Sequence, residues 1–369
     1  MSPTAADLQW MQKALALARR GEGLTRPNPP VGAVLVKNGK LIGQGWHRRA
    51  GGPHAEIYAM RQAGKNAREA TLYVTLEPCS TQGRTPPCVA AILAAGIQRV
   101  VVGAIDPNPK HAGRGLRLLR RHGIETVRCP SDDATSLIAP FACHLCHHRP
   151  LFTLKLGLTL DGRIADHHHS SRWITGPKAR ALVQDMRRTA DAIMVGAGTV
   201  RHDDPSLWPR PPKGRNPWRV IVASQGPLPA DARVFTDAHA PRTIVAAPRG
   251  WQPARAAQLR EQGVTVWELP KKDFLSAMAR KLGQLDILRV FCEGGGILAS
   301  GLLENRFVDE LNIFLSPLML GGPVGAVGSA RWPLPQAPRL AIRSTTPVGG
   351  DLLLRLTPLS GQEDSCSPA

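Results

Sequence analysis

The chain has 369 residues, of which 43% are hydrophobic and 20% are charged. This length exceeds a typical single core of about 100–200 residues, so we expect two domains. No apolar run reaches the roughly 18 residues of a membrane span, and the charged fraction is too low for a disordered chain. The net charge of +19 comes from scattered basic residues, which argues against a nucleic-acid partner; anionic small ligands explain the charge, and so does an arginine-rich proteome without any function.

The N-terminus, MSPTAADLQWMQKALALARR, has an acidic residue and an amphipathic helical pattern, unlike a signal peptide. We therefore expect a soluble cytoplasmic protein. Its seven cysteines are an odd and sparse set. In a reducing compartment this usage predicts metal ligands and core thiols rather than disulfides.

The first half of the chain alternates predicted strands and helices. A helix near residues 7–21 precedes a hairpin around Asn38-Gly39, formed by VGAVLVKNG and KLIGQGW, and a helix then runs from about His54 to Gly64. TLYVTLEPC, RVVVGAIDPN and ETVRC follow as strands, separated by helices over VAAILAAG and GLRLLRRHG. This order predicts an α/β sandwich of about 140 residues.

A polar stretch, SDDATSLIAPFACHLCHHRP, reads as a helix leading into a linker that Pro150 closes. Beyond it, strands again alternate with helices, from LFTLKLGLTLDGRIA to ILRVFCEGGG, so a second α/β domain is expected. We predict a first domain over residues 1–146, a second over 147–360 and a disordered tail over 361–369.

Four residues of the first domain form the pattern of a zinc-dependent deaminase. His54 and Glu56 open a predicted helix, while Cys79 ends an apolar strand and Cys88 follows nine residues later. One imidazole and two thiolates hold Zn²⁺ and leave a position for water, whose pKa the metal lowers to about 7. Glu56, which is not a ligand, then serves as the general acid and base.

Considered alone, the histidine would be interpreted as a capping or core residue and each cysteine as a buried thiol. It is their combination that predicts the metal site. One departure from the general deaminase signature is the spacing of the cysteines. That signature has two residues between them, whereas STQGRTPP places eight here.

Two glycine-rich turns of the second half follow predicted strands. One lies within CEGGGILASGLLE and the other within GAGT at residues 196–199. Such turns let a backbone approach a phosphate at a helix N-terminus, although neither matches the G-x-G-x-x-G pattern. They predict a nucleotide cleft, with two ordinary tight turns as the alternative.

Several motifs together resemble one family, the bifunctional riboflavin-biosynthesis deaminase-reductases. The motifs are PNPPVGAVLV, GGPHAE, ATLYVTLEPCSTQGRTPPC, AAGIQRVVVGAIDPNP, KLGLTLDGRIA, SRWITGPKAR, DAIMVGAGTVRHDDPSLWPR and CEGGGILASGLLE. They cover about residues 8–357, and the long loop between the cysteines is itself a mark of this family.

The resemblance implies a cytidine-deaminase-like α/β/α sandwich followed by a dihydrofolate-reductase-like α/β domain. The first would use Zn²⁺ to deaminate 2,5-diamino-6-ribosylamino-4(3H)-pyrimidinone 5′-phosphate. The second would use NADPH to reduce the ribosyl side chain, giving 5-amino-6-ribitylamino-uracil 5′-phosphate. This small ribotide is the expected partner, with neither nucleic acid nor membrane, and a homo-oligomer is compatible with the sequence.

The resemblance also implies contacts in the second domain. Those expected for NADPH are Gly157, Trp173, Thr199, Asp203, Ser224, Gly295, Gly296, Ile297, Leu298, Ala299, Ser300 and Gly301. Those expected for the substrate are Ser171, Arg187, Leu207, Arg210 and Glu293. Arg187 and Arg210 can clamp the 5′-phosphate bidentately, although an arginine considered alone is more often a solvated surface residue.

Asn28 and Lys155 each have more than one interpretation. Asn28 is a substrate contact by resemblance or a turn-forming residue by its PNPP context. Lys155, on an otherwise apolar strand, and Glu293 are candidates for proton delivery at the reacting sugar, with a paired structural lysine as the alternative for Lys155. Thr81 stands where the family commonly has a histidine.

Further patterns predict competing functions. Cys143-His144-Leu145-Cys146-His147 matches a c-type haem attachment motif, which the expected cytoplasmic location excludes; an incidental linker is favoured over a second zinc site. His167-His168-His169 is expected in a solvated loop or at an active-site rim. A tRNA-type base deaminase with an accessory C-terminal domain, and a chain with one non-catalytic half, remain alternative functions.

Overall fold

The structure is a computed structural model that describes residues 2–82, 86–109, 111–212, 216–224, 226–328 and 330–359. The chain forms two compact units, one ending at His148 and the other beginning at Arg149. The predicted boundary after Cys146 falls inside the last turn of a helix that ends at His147. The predicted tail, residues 361–369, lies outside the described residues. In the described chain, no helix is both long and apolar enough to cross a bilayer.

The first unit consists of a five-stranded sheet and helices on both of its faces. The strands are β1 (Gly32–Lys37), β2 (Lys40–Trp46), β3 (Thr71–Leu76), β4 (Arg99–Ala104) and β5 (Glu125–Arg128). The helices are α1 (Ala5–Ala18), α2 (Ala55–Ala63), α3 (Cys88–Ala94), α4 (Arg114–Arg121) and α5 (Asp132–His147). Short 3₁₀ turns follow α1 at Arg19–Gly21 and α2 at Gly64–Ala67.

The strand order is β2-β1-β3-β4-β5, in which β1 is antiparallel to β2 and β3, while β3, β4 and β5 are parallel. Strand alternation divides the core into two layers. Ala33 and Leu35 pack with α2, α3 and α4, whereas Val34 and Val36 pack with α1 and α5. The result is an α/β/α sandwich.

A close contact fixes the position of α2 on the sheet. A Cβ added at Gly45 of β2 would lie 2.6 Å from the Ala55 carbonyl oxygen and 2.4 Å from Tyr58 Cβ. Only glycine permits this approach, because a larger residue would push the helix away. The contact holds the first turn of α2, which follows His54, directly against β2.

The second unit is built on a nine-stranded sheet. Its strands are β6 (Leu151–Thr159), β7 (Ala192–Gly196), β8 (Trp218–Val222), β9 (Thr243–Pro248), β10 (Thr265–Leu269), β11 (Arg289–Cys292), β12 (Glu310–Ser316), β13 (Leu340–Val348) and β14 (Asp351–Pro358). Its helices are α6 (Pro177–Thr189), α7 (Ala197–Asp203), α8 (Arg233–Thr236), α9 (Pro253–Glu261), α10 (Phe274–Gln284) and α11 (Gly296–Glu304). Two 3₁₀ turns lie at Ala240–Arg242 and Leu334–Gln336.

The strand order of this sheet is β10-β9-β8-β7-β11-β6-β12-β14-β13. The seven strands from β10 to β12 are parallel, and β14 and β13 complete the sheet in antiparallel pairing. Along β7, Met194 packs with α10 and α11, while Ile193 packs on the opposite face with α9. Both faces are therefore buried by helices, as parallel sheets require.

The sequence patterns do not predict the antiparallel hairpin of β13 and β14 or its neighbour β12. Every position of the edge strand β13 is exposed or half-buried. Ile342, for example, is 65% exposed. A strand without one buried face lacks the period-two signal on which its prediction depends.

Candidate active sites

Three ligand atoms meet in the first unit. His54 Nδ1 lies 3.2 Å from Cys88 Sγ and 3.6 Å from Cys79 Sγ, and all three candidate ligand atoms lie within 4.8 Å of one another. Tetrahedral Zn²⁺ with bonds of about 2.3 Å to sulfur and about 2.0 Å to nitrogen separates such ligands by roughly 3.6 Å. The donor set therefore fits zinc in both chemistry and spacing.

The local fold delivers each ligand from the end of an element. His54 is the N-cap of α2 with extended backbone angles, φ −71° and ψ 164°. Cys88, which is 1% exposed, is the first residue of α3. The backbone N–H of Cys88 donates to Cys79 Sγ at 3.3 Å, and that of Val89 donates to the Cys79 carbonyl at 3.2 Å. The start of α3 thus fixes the position of Cys79.

Hydrogen bonds prepare one thiolate for metal binding. The pKa of Cys79 is lowered to about 4 because the Cys88 thiol, the His54 ring and the Cys88 backbone N–H donate to its sulfur, against the effect of burial. The pKa of His54 is raised, first by its hydrogen bond to Cys79. A ligand that is already deprotonated releases no proton when the metal binds, which favours binding near neutral pH.

Glu56 lies in the first turn of α2 beside the three ligands. It is 3% exposed, and burial raises the pKa of its carboxyl group, while the charge of His54 opposes the rise. Its carboxylate also interacts with the Cys88 thiol. A buried carboxyl group with a raised pKa is suited to accept and return a proton during turnover.

His47 is a neighbour of this centre that the sequence prediction missed. It is 2% exposed, and its ring meets the His54 ring edge-on with centroids 5.4 Å apart. His47 Nδ1 lies 3.1 Å from the Pro53 carbonyl oxygen, which can only accept a hydrogen bond, so Nε2 is left to accept one from Asn28 Nδ2 at 3.1 Å. This chain of bonds orients the Asn28 amide beside the centre; burial also lowers the pKa of His47 and keeps the ring neutral.

Glu77, directly before Pro78-Cys79, is a second residue that the sequence prediction missed. Its buried carboxylate accepts backbone N–H groups from four residues after β4, which are Asp106 at 3.3 Å, Gly113 at 2.8 Å, Gly115 at 2.8 Å and Leu116 at 3.3 Å. The bonds hold the start of α4 against the turn that carries Cys79. A single glutamate within an apolar strand motif carries no signal of this role.

The segment that is hydrogen-bonded to Glu77 also places a histidine next to Thr81. His111 Nδ1 lies 3.4 Å from Thr81 Oγ1, and His111 interacts electrostatically with the partly buried carboxyl group of Asp106. The chain thus has an imidazole next to position 81 although residue 81 itself is a threonine. The rest of the loop between the cysteines includes residues 83–85, which are outside the described residues.

The second unit contains a cavity of about 1580 Å³ across its parallel strands. All predicted cofactor and substrate contacts of this unit line the cavity except Ala299 and Ser300, and Lys155 lines it as well. Ala299 and Ser300 are fully buried, and Ser300 Oγ donates to the Gly296 carbonyl at 2.7 Å. The run from Gly295 to Gly301 therefore faces the cavity only on one side of the helix.

Three charged side chains gather at one end of the cavity. Arg187 Nε and Nη2 donate to the two Glu293 carboxylate oxygens at 2.6 and 3.0 Å. Lys155 lies in the same buried group, where burial lowers the pKa of its ammonium and the charge of Glu293 opposes that shift. The pKa of Glu293 is lowered by Arg187 and Lys155, which outweigh the effect of burial. Lys155 therefore lies near a carboxylate, as a paired structural lysine would, and it also lines the cavity.

The glycine-rich turn before α11 is shaped for a phosphate. Gly295 is the N-cap of this nine-residue helix, and no described side chain caps it. A Cβ added at Gly294 would lie 2.7 Å from Leu298 Cδ2, and one at Gly296 would lie 2.6 Å from the Gly325 carbonyl oxygen. The backbone contact therefore requires a glycine at 296, and the start of α11 lines the cavity, where its first N–H groups can bind a phosphate.

Apolar surface is exposed within the cavity next to this turn. Trp173 is 66% exposed and Ile297 is 60% exposed, although both line the cavity. The Arg180 guanidinium lies 4.5 Å from the Trp173 ring centroid. Exposed apolar side chains within a concave site are typical of contacts to a flat ligand ring.

Residues 203–210 form the remaining wall. Asp203 accepts a hydrogen bond from Ser171 Oγ at 3.2 Å, and Leu207 adopts a left-handed conformation with φ 53°. Arg210 is exposed at the rim, and its backbone N–H donates to Gln184 Oε1 at 2.9 Å. This wall brings predicted cofactor and substrate contacts into one segment.

Within the described residues, the cysteine- and histidine-rich linker forms no second metal cluster. In that part of the chain, His54, Cys79 and Cys88 are the one group of three or more potential ligands with metal spacing. Residues 143–147 form the last turns of α5. Cys143 is buried in this helix.

His167, His168 and His169 lie near the cavity. The rings of His167 and His168 have centroids 3.8 Å apart, and His169 stacks on His202 at 4.8 Å. His169 and His202 both line the cavity. Of the two predicted locations, a solvated loop or an active-site rim, these histidines occupy the rim of the cavity.

Two domain families match the chain in the order of its two units. Residues 4–104 match the cytidine and deoxycytidylate deaminase zinc-binding region, and residues 150–354 match the RibD C-terminal domain. The riboflavin biosynthesis protein RibD of Aquifex aeolicus is 42% identical over 318 residues, which are 85% of this chain and 88% of that protein. The chain belongs to the RibD family. RibD of Escherichia coli is 38% identical and covers 95% of this chain, with 99% of its own length matched.

Solved structures of RibD proteins share the whole architecture. Form 1 of Acinetobacter baumannii RibD superposes with a TM-score of 0.84 at 37% identity, covering 96% of this chain and 99% of that one. A Thermotoga maritima diaminohydroxyphosphoribosylaminopyrimidine deaminase/5-amino-6-(5-phosphoribosylamino)uracil reductase gives a TM-score of 0.84 at 36% identity, covering 96% and 99%.

Membership of the RibD family confirms the predicted fold and function. The chain has a cytidine-deaminase-like domain and a reductase domain with the dihydrofolate-reductase-like fold. It is a bifunctional riboflavin-biosynthesis enzyme with deaminase and reductase activities. A tRNA-type deaminase with an accessory domain is therefore not the function of this chain.

Proposed function

We propose that the chain binds Zn²⁺ at His54, Cys79 and Cys88 and deaminates 2,5-diamino-6-ribosylamino-4(3H)-pyrimidinone 5′-phosphate, then reduces the ribosyl side chain with NADPH. The observation that carries the proposal is the compact ligand set beside the buried Glu56 carboxyl group. The named substrates of the Thermotoga maritima relative support the choice of ribotide. The product is 5-amino-6-ribitylamino-uracil 5′-phosphate.

In the deaminase site the protein provides metal binding and proton transfer. When bound, zinc supplies Lewis acidity that makes water an effective nucleophile near neutral pH. Glu56 accepts the proton of the attacking water and passes it to the ring nitrogen, and it then carries a proton to the departing amine, which leaves as ammonia. Asn28, oriented by His47, provides a polar contact for the pyrimidine.

In the reductase site the chain positions two reactants and supplies a proton. When bound, NADPH supplies the hydride for the ribosyl C1′ carbon. The sugar ring must open before reduction, so the ring oxygen takes up a proton and becomes a hydroxyl group. Lys155, an ammonium at the buried end of the cavity, is the group that can deliver this proton, and the carboxylate of Glu293 stabilises its charge.

The two predicted phosphate-binding arginines have different roles in this proposal. Arg187 directs its Nε and Nη2 edge to Glu293, and this edge is the one that a bidentate phosphate would use. We therefore assign Arg187 to holding Glu293 in position. Arg210, exposed at the rim, is the better partner for the 5′-phosphate.

The test separates the two activities with one variant and two substrates. Glu56→Gln keeps the size of the side chain but removes its ability to take up a proton from water. We expect ammonia release from the diaminopyrimidine ribotide to fall by about 10²- to 10⁴-fold. NADPH oxidation on the already deaminated ribotide should stay at the wild-type rate. Normal ammonia release by Glu56→Gln would refute the assigned role of Glu56.

Three further properties remain predictions. A cytoplasmic location stays a prediction. Binding of a small anionic substrate at Arg210 accounts for part of the positive charge of the chain, so we expect no nucleic-acid partner. A homo-oligomer stays compatible with the sequence.

A further inference from the structure

Helix α4 of the first unit carries a marked excess of positive charge. Four of its eight residues, RGLRLLRR, are arginines, and the other four are glycine and leucine. The exposed arginines are Arg114, Arg117, Arg120 and Arg121. In the part of the chain that the structure describes, none of them forms an ion pair with a carboxylate. The outer face of α4 is therefore a strongly basic surface.

This charge does not stabilise the helix that carries it. Arg114 is the first residue of α4, where the helix dipole favours an acidic side chain. Arg117 lies three residues after Arg114 and four before Arg121, and like charges repel each other at these helical spacings. The start of α4 is instead stabilised by the Glu77 carboxylate, which accepts its first N–H groups. Because helix stability gives no reason for the arginines, they point to an anion that arrives from solution.

The basic helix begins at the turn that carries the proposed zinc ligand Cys79. A Cβ added at Gly115 would lie 2.3 Å from the Pro78 carbonyl oxygen, so the first turn of α4 packs directly on this turn. The Arg117 guanidinium lies over the start of the helix, since a Cβ at Gly113 would be 3.0 Å from its Nη1. At a rise of about 1.5 Å per residue, the whole helix extends only about 12 Å from the turn. All four arginines are therefore close to the deaminase site.

The substrate proposed for that site has the opposite charge. The phosphate group of the ribotide carries about 1.5 to 2 negative charges at pH 7. Exposed charges act on one another over a Debye length, which is about 30 Å at 0.01 M ionic strength and about 8 Å at physiological ionic strength. Arginines within about 12 Å of the site can therefore attract the phosphate without contacting the bound substrate.

We propose that the exposed arginines of α4 form a steering surface that draws the anionic ribotide to the deaminase site and so increases its rate of capture. The inference rests on the proposed deamination of a ribotide by the first unit. It gives the arginines a role in substrate capture and none in the chemical step. Surfaces of one charge beside a site raise the association rate of a ligand of opposite charge by about 10- to 10³-fold, an effect that salt removes.

The test compares kcat/KM at low and high salt in the full-length, zinc-loaded protein. The α4 variant combines Arg114→Gln, Arg117→Gln and Arg121→Gln, and it keeps Arg120, whose Nε donates to Thr126. Ammonia release from the diaminopyrimidine ribotide is the assay. At about 20 mM NaCl we expect kcat/KM of the variant to be about 5- to 10-fold below wild type, and at about 300 mM within about twofold of it. The kcat and the zinc content should not change.

The matched control removes three exposed positive charges from the opposite end of the same unit. It combines Lys40→Gln, Lys65→Gln and Arg68→Gln. Lys40 begins β2, and the other two residues follow the end of α2, whereas the deaminase site lies where β2 ends and α2 begins. The control lowers the net charge by the same amount as the α4 variant. Its kcat/KM should follow that of the wild type at every salt concentration.

The outcomes separate the steering surface from the proposed function. A wild type whose kcat/KM is independent of salt, or a control that loses as much as the α4 variant, overturns steering and keeps the deaminase assignment. A loss in the α4 variant that is the same at all salt concentrations, or that lies in kcat, shows a structural role and also overturns steering. A wild type that releases no ammonia at any salt concentration overturns the proposed deamination, and the steering surface with it. A loss confined to the α4 variant and to low salt supports steering.

Discussion

The two active sites differ in how their residues are distributed along the chain. The proposed metal ligands and Glu56 lie within 35 residues, at the ends of neighbouring elements of the first unit. The reductase cavity takes its walls from positions between Lys155 and Gly328, brought together by the parallel strands of a larger sheet. A metal centre can thus be encoded by short spacings, whereas a dinucleotide cleft depends on the whole sheet.

The largest effect that would test this contrast is loss of a metal ligand. Cys88→Ser removes a thiolate from the three-ligand set, so we expect bound zinc to fall from one per chain to below about one tenth and ammonia release to disappear. NADPH oxidation on the deaminated ribotide should continue, because the residues that line the cavity belong to the second unit. Metal analysis and the two assays measure these effects.

Cys129→Ser is the control for that variant. Cys129 is a buried free thiol of the same unit that is not part of the ligand set. Full zinc content in Cys88→Ser, or zinc loss in Cys129→Ser, would show that the ligands are assigned wrongly.

The next largest effect is expected at the buried end of the reductase cavity. Lys155→Met keeps most of the side-chain volume but removes the ammonium group, so reduction should slow by about 10²-fold or more while ammonia release stays normal. Lys178→Met, at an exposed lysine outside the cavity, should have no effect. A Lys155→Met protein that reduces the deaminated ribotide at the wild-type rate would exclude Lys155 from proton delivery.

A structural prediction concerns the loop that carries Leu207 and Arg210. Arg219 is fully buried and donates to both Asp237 oxygens at 2.7 and 2.9 Å and to the Ser206 carbonyl at 3.2 Å. Arg219→Met leaves Asp237 without its main partner. We expect a loss of about 3 kcal/mol in the free energy of unfolding, at the low end for such pairs because Asp237 is partly exposed.

Denaturant unfolding followed by a signal from the second unit checks this value. Arg339→Met, at an exposed arginine, should change the free energy of unfolding by less than about 0.5 kcal/mol. If Arg219→Met is equally neutral, the ion pair does not stabilise the wall of the cavity.

The smallest effect is expected at His47, behind the deaminase centre. His47→Gln keeps an acceptor for one neighbour but loses the fixed ring between Pro53 and Asn28. Misplacing Asn28 should raise the KM of deamination by about 3- to 10-fold without loss of zinc. His122→Gln, at an exposed histidine of the same unit, serves as the control. Unchanged kinetics in His47→Gln would leave Asn28 positioned by its turn alone.

The sequence was sufficient to predict that His54, Cys79 and Cys88 cluster, because two thiols, an imidazole and a carboxylate at these spacings rarely occur together outside metal sites. It was insufficient for His47 and Glu77, since an isolated histidine or glutamate carries no pattern and its role arises only from tertiary contacts. The edge strand β13 was missed because neither of its faces is buried, so it lacks a period-two pattern. Arg187 pairs with Glu293, a contact across 106 positions that spacing cannot show.

The central claim is that one chain carries out deamination and then reduction on the same ribotide. The most direct measurement mixes the zinc-loaded protein with the diaminopyrimidine ribotide and NADPH and follows ammonia and NADPH in the same sample. We expect ammonia to appear first, followed by the oxidation of one NADPH for each ammonia released. NADPH oxidation before any ammonia release, or ammonia release without any NADPH oxidation, would contradict the claim.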